Sequence, residues 1–242
     1  GTWRSDSARP SPRASVVLDN LPGYPDSLLR GQDAFLSQHL GEVDSLEALA
    51  YFREALDHLR RIFKVQPEVI AHDLHPGYLT TRLARDLAAE WGVPRVEVQH
   101  HHAPIAACLA EHGREREVLG VAWDGTGYGD DGVLWGGEFL AADLCRYRRL
   151  AHLRALPLPG GEQAIRQTWR MALAALYDAE GERIWSRRLP VITRVPASER
   201  ELWSRLLSGK LPGYRATGAG RMFDAASAIL GIREEALYEG QG

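Results

Sequence analysis

Leu46, Leu49, Phe52, Leu56, Leu59 and Phe63 recur every three or four residues, with polar and charged residues between them. That period is helical and gathers the apolar side chains into one stripe, so it predicts a helix over 44–63. Asp44 is placed to cap this helix and Glu47 to complete a capping box. EVIAHDL (68–74) is a short, mostly apolar run and predicts a buried strand. Leu79, Leu83 and Leu87 return to the helical period, and Gly92 and Pro94 end that helix. RVEVQ (95–99) reads as a strand, Ala103–His112 as a helix, and EVLGVAWD (117–124) as another strand. The Gly-rich turn GTGYGDDG (125–132) leads into VLWGGEFLAADL (133–144), a returning strand. The succession β-α-β-α-β and then a hairpin predicts an α/β domain on a mixed sheet. After Gly161 the period is helical over 162–179, 198–207 and 219–230, which predicts a helix-rich second part. In the last helix, Phe223 and Ile229 are read as facing the core. Near the start, SVVLDNLPGYPDSLL (15–29) predicts one edge strand and a loop. The Arg-, Ser- and Pro-rich residues 1–14 predict a disordered or linking segment.

Composition narrows the class without naming it. The chain has 242 residues, 45% hydrophobic and 25% charged, which suits an ordinary globular protein. A net charge of −3 gives no general pull toward nucleic acid or an anionic membrane. No apolar run approaches the ~20 residues of a membrane span, and no secretory signal is visible. Cys108 and Cys145 match no zinc or redox spacing. They read as buried small hydrophobes in a reducing compartment, which points to the cytoplasm. The first residue is Gly, as expected for a piece of a longer chain.

Four stretches have the residues for chemistry. In AWDGTGYGDDGVLWGGEF (122–139), Gly125, Gly127 and Gly129 let backbone approach a ligand and aim N–H groups at an anion. Asp124 can hold a metal or a metal-bound water, and Thr126 can donate to a phosphate. A plain Gly-rich hairpin is the alternative. In VQHHHAPIAACL (98–109), His100, His101 and His102 lie between a strand and a helix. Adjacent residues on an extended chain point to opposite sides, so the three cannot all face one ion. In AHDLHPGYLTT (71–81), His72, Asp73 and His75 either line a cleft or form a polar turn. In GAGRMFDAASAILG (218–231), small residues open a helix whose start favours an anion, with Asp224 one turn in.

Together these stretches resemble a known family. LSQHLG (36–41), DLHPGYLTTRLA (73–84), VQHHHA (98–103), DGTGYGDDGVLWGGEF (124–139), PLPGGEQAIRQTWRMAL (157–173) and GRMFDAASAILG (220–231) resemble the C-terminal module of HypF. HypF is the carbamoyltransferase of [NiFe]-hydrogenase maturation. The resemblance implies a two-lobed actin/hexokinase-like (ASKHA) ATPase fold. It divides the chain into a divergent segment 1–30, a first α/β lobe 31–150 with the Gly-rich phosphate hairpin, and a helix-rich part of a second, incomplete lobe 151–242. It further implies ATP and Mg2+ or another divalent metal, Fe or Zn among them, as cofactors. In such a module a carbamoyl group passes from carbamoyl-adenylate, made from carbamoyl phosphate and ATP, to the C-terminal Cys of a HypE-like acceptor protein. No membrane and no nucleic acid partner is implied. Asp124 and His100 are then the catalytic and metal-binding candidates. Gly125, Thr126, Gly127, Gly129, Gly220 and Asp224 are the cofactor-binding candidates.

The chain also departs from the family pattern. That pattern resembles VQHHHAH, with the first and last histidines as metal ligands; here the last position is Pro104, which has no donor atom. The family's opening Gly-rich hairpin has no counterpart in 15–29, and its PWR reads Thr168, Trp169, Arg170. Three other readings follow: a relic that keeps the fold and nucleotide binding, a small-molecule O-carbamoyltransferase, and a relative of the tRNA threonylcarbamoyl-transfer enzymes. The last predicts a basic face that the composition does not suggest. If the missing part of the second lobe held most of its sheet, the helices after Gly161 would expose apolar faces and the chain would self-associate.

Overall fold

The computed structural model describes residues 14–18, 27–31, 33–38, 45–238 and 240–242. The expected disordered segment falls almost entirely on residues 1–13, outside this range, and Asp44 lies outside it too. The chain divides into two compact units, Gly1–His100 and His101–Gly242.

The first unit is built on a five-stranded sheet of order β3-β2-β1-β4-β5. Its strands are β1 (Ala14–Leu18), β2 (Ser27–Arg30), β3 (Asp33–Leu36), β4 (Val69–Asp73) and β5 (Arg95–Val98). β1, β2 and β3 form an antiparallel meander, whereas β4 runs parallel to both β1 and β5. The single edge strand expected over 15–29 is therefore corrected. This stretch contributes two strands, and β1 lies in the middle of the sheet, bonded on both sides. Helices α1 (Leu46–Phe63) and α2 (Leu79–Trp91) belong to this unit. Ser45, one residue later than expected, caps α1 by accepting the Ala48 N–H at 3.1 Å. Counted from Ser45, Glu47 stands one position too early for a capping box. The apolar stripe of α1 packs as its period requires, with Phe52 and Leu56 buried against Leu28, Ile70, Leu83 and Leu87. Leu46 is the exception and is exposed.

The second unit starts with α3 (His102–Glu111) and a second sheet. Its strands are β6 (Val118–Tyr128), β7 (Leu134–Ala142), β8 (Tyr147–His152), β9 (Leu156–Pro157) and β10 (Arg215–Ala216). The order is β6-β7-β10-β9, with β8 also paired to β7. The single mixed sheet expected from the strand–helix succession is thus two sheets. β6 pairs with its own hairpin partner β7, and its Gly120 packs under Ile105 of α3.

Five helices follow: α4 (Gln163–Arg166), α5 (Thr168–Glu180), α6 (Pro190–Thr193), α7 (Arg200–Leu207) and α8 (Ala219–Ile229). They enclose a core of their own with Met171, Leu173, Ile184, Ile192 and Trp203 at its centre. The helices after Gly161 therefore keep a core, yet α8 and the residues just after it still leave Phe223, Leu230 and Ile232 61%, 72% and 71% exposed, as expected of an apolar face without a partner. A second open apolar surface lies on β6, where Leu119, Val121 and Trp123 are 64%, 50% and 60% exposed. β6 ends the strand order among the described residues. Any self-association would start at such an edge.

Two further expectations are corrected by burial. Cys108 and Cys145 are free thiols and both are exposed. Ile105 and Leu109 take the inward positions of α3, and Cys145 sits in the turn between β7 and β8. Phe223 is 61% exposed, whereas Ile229 packs against the core as expected. Ala225 and Ala228, among the buried residues of α8, let it lie close to α5. Among the described residues no helix is long and apolar enough to cross a membrane.

Candidate functional site

Alternating burial carries β6 cleanly from Val118 to Trp123 and then breaks. Trp123 pairs with Gly137 and Gly127 with Trp135, so Asp124, Gly125 and Thr126 stand opposite the single Gly136. Two of the four glycines expected in the turn, Gly125 and Gly127, thus lie in the strand. Asp124, Gly125 and Thr126 form a bulge, a device that re-aims backbone and is common beside active sites. Only Gly129 to Gly132 make the turn proper, closed by the Gly132 N–H on the Gly129 carbonyl at 3.2 Å. Gly129 is glycine for a steric reason. A Cβ there would stand 2.2 Å from the Trp135 ring.

The bulge meets the start of α8. A Cβ on Gly218 would lie 1.9 Å from the Gly125 carbonyl oxygen, and one on Gly220 would lie 2.9 Å from the Gly125 Cα. One on Gly136 would reach the Asp124 oxygen and the Gly218 Cα, each at 2.8 Å. Gly125, Gly136, Gly218 and Gly220 therefore touch backbone to backbone. No side chain caps α8. Its first N–H groups and its dipole favour an anion beside the bulge. The expected candidates Asp124, Gly125, Thr126, Gly127 and Gly220 are brought together here. Asp224 is 2% exposed and pairs with Arg221 of the same helix, Nε to Oδ2 at 2.8 Å.

Each of the three histidines turns to a different partner. His100, in the first unit, has Nδ1 2.6 Å from Asp73 Oδ2, and both side chains are nearly buried. His101 has Nε2 3.5 Å from Asp124 Oδ2. His102 donates from Nε2 to the Asp143 carbonyl at 2.8 Å. Asp73 also accepts the His75 N–H at 2.6 Å. His72 is held below its ordinary range by burial and lies 3.0 Å from the Arg95 guanidinium. A carboxylate on Nδ1 fixes the ring orientation of His100, an arrangement common to metal-ligating histidines. Pro104 is exposed on α3 and offers no donor. Among the described residues no group of three or more His, Cys, Asp or Glu side chains is arranged to hold a metal ion.

Glu138 is the site residue that the sequence reading passed over. It lies on β7 with no exposed surface. Burial opposes its ionisation, but the Arg149 guanidinium, the Thr217 hydroxyl and the Gly136 N–H outweigh burial and hold the carboxyl below its usual range. A glutamate among the apolar residues of VLWGGEFLAADL was the available signal.

The fold is that of a Kae1-like domain, of the actin/hexokinase (ASKHA) type. Residues 120–242 match the family model described as the second subdomain of the carbamoyltransferase Kae1-like domain, and residues 26–111 match the HypF Kae1-like domain. The chain belongs to the HypF family. It is 48% identical over 215 residues to carbamoyltransferase HypF2 of Cupriavidus necator, covering 88% of this chain and 26% of that protein. It is 42% identical over 216 residues to carbamoyltransferase HypF of Rhizobium leguminosarum bv. viciae, covering 88% and 27%. The crystal structure of full-length HypF in a phosphate- and nucleotide-bound form superposes with a TM-score of 0.84 at 38% identity, over 94% of this chain and 35% of that one. HypF of T. kodakarensis gives 0.80 at 32% identity, over 96% and 32%. The chain spans about a quarter of the length of these two curated relatives.

Proposed function

We propose that this chain is the carbamoyl-transfer module of a hydrogenase-maturation carbamoyltransferase. The observation that supports it best is the backbone junction of the Gly125 bulge and the start of α8. Its amide-rich geometry suits the phosphates of ATP or of an adenylate. In this reading the donor is carbamoyl-adenylate, derived from carbamoyl phosphate and ATP. The acceptor is the C-terminal cysteine of a HypE-like protein. Its thiolate attacks the carbamoyl carbon, the new S–C bond forms, and the C–O bond to the phosphate breaks to release AMP. Gly125, Thr126, Gly127 and Gly220 hold the leaving phosphate, where fixed dipoles meet developing charge without reorganising. In this reading Asp124 holds the divalent cation that would travel with the nucleotide. Two exposed free thiols suit a reducing compartment such as the cytoplasm.

Calorimetric titration with a non-hydrolysable ATP analogue and Mg2+ tests the reading. Saturable binding to the 242-residue chain is expected, and none at millimolar analogue would sink it. Pro104 favours a second reading, a module impaired at its metal site. Metal content per chain separates the two. The chain as it stands is expected to purify with well under one equivalent, and Pro104→His to approach one. Should the parent already hold one equivalent that His100→Ala removes, another residue has replaced the missing histidine and the impaired reading is wrong.

A further inference from the structure

Glu138 makes more ties than a structural carboxylate needs. Its Oε2 accepts Arg149 Nε–H at 2.6 Å. Its Oε1 accepts the Gly136 and Gly137 N–H groups at 3.1 and 3.3 Å, together with the Thr217 hydroxyl. Arg149, on β8, continues the chain of contacts. It donates from NH1 to Asp131 of the hairpin turn at 2.7 Å and stacks on Trp135 with its guanidinium 4.2 Å from the ring centre. Asp131 in turn accepts the Trp135 indole N–H at 2.8 Å. Thr217 directly precedes Gly218, and its N–H bonds the Leu134 carbonyl at 2.8 Å. One buried carboxylate therefore ties the stretch of β7 opposite the bulge to β8, to the residue that leads into α8 and, through Arg149, to the hairpin turn.

For stability alone this is a poor investment of polar groups. A well-packed apolar set of the same volume is commonly as stable as a buried ion pair. The ion pair does supply fixed geometry. Geometry is what the junction lacks, because Gly125, Gly136, Gly218 and Gly220 have no side chains to interlock. We propose that Glu138 and Arg149 are positioning residues that hold the Gly125 bulge in register with the first turn of α8. This rests on the nucleotide reading for its purpose, though not for its geometry.

The two oxygens of Glu138 make a clean test possible. Glu138→Gln keeps an oxygen for the three neutral donors and turns an N–H toward Arg149, so it cuts the tie to Arg149 alone. The test compares the parent and the variant by amide exchange under native conditions and by titration with the ATP analogue. Exchange should quicken in peptides covering 124–129 and 217–221 while α5 stays protected. Analogue affinity should fall about tenfold or more, as expected for one lost charge-assisted hydrogen bond. A purely structural role would instead quicken exchange across the whole second unit. Either that uniform result or unchanged exchange at the two segments overturns the proposal. If Glu138→Gln does not fold, Arg149→Lys keeps the charge, loses the fork that reaches Glu138 and Asp131 at once, and carries the same expectation. If the parent binds no analogue, the nucleotide reading fails, and the exchange pattern still decides the positioning role.

Discussion

Gly218→Ala is expected to push the first turn of α8 off the hairpin, destabilise the second unit and, on the proposed function, abolish nucleotide binding. The backbone at Gly218 has φ −59° and ψ 128°, which alanine adopts without strain, so the effect is purely steric. The added Cβ would stand 1.9 Å from a carbonyl oxygen, and the atom it meets is backbone, which cannot swing aside. Overpacking a well-packed site costs about 1–3 kcal/mol, and a backbone clash belongs at the top of that range or beyond. Gly213→Ala is the control, since a Cβ there meets nothing within 4 Å. Urea denaturation and analogue titration of both variants decide the matter. If Gly218→Ala unfolds at the control's midpoint and binds as the parent does, the junction is not where this structure has it.

Asp224→Ala should cost about 3–5 kcal/mol, because it leaves the Arg221 guanidinium buried without its carboxylate. Their side chains are 2% and 3% exposed, so water cannot take over the lost contact. Replacing both partners, as Arg221→Met with Asp224→Leu, should restore most of the loss by the same principle. This separates two roles for Asp224. A residue that only touches nucleotide would lose affinity on substitution and keep its urea midpoint. A residue that holds α8 together would lower the midpoint first. A single variant with the parent's midpoint would sink the ion-pair account.

Much of this arrangement could be read before any coordinates. The stripe of Phe52, Leu56 and Leu59 set α1, and Leu83 and Leu87 set α2, because a helix that packs on one side must repeat at 3.6 residues. The family resemblance carried the fold, and the Gly-rich stretches carried the junction. Other features left weaker traces. β9 and β10 are two residues each, too short for any period to show. Strand β8 reads YRRLAH, and its Arg149 is charged because it faces Glu138 rather than solvent alone. Phe223 misled because hydrophobicity ranks it above alanine, whereas the close approach of α8 to α5 selects small residues. The cysteines misled for a related reason: frequency of burial describes a residue type, and Cys108 simply falls off the inward stripe of α3. The division into two sheets was invisible because the hydrophobic pattern of a strand does not say which strand it will pair with.

The backbone-to-backbone junction also bears on how such a module can change over time. Most binding sites can be retuned by exchanging the side chains that touch the ligand. Here the closest surfaces are peptide groups, the same in every sequence, and Gly136, Gly218 and Gly220, which expose them, leave almost no room for a Cβ. Divergence in such a module must therefore come from the surrounding frame and from whatever docks against it, while the glycine junction itself stays mutationally rigid.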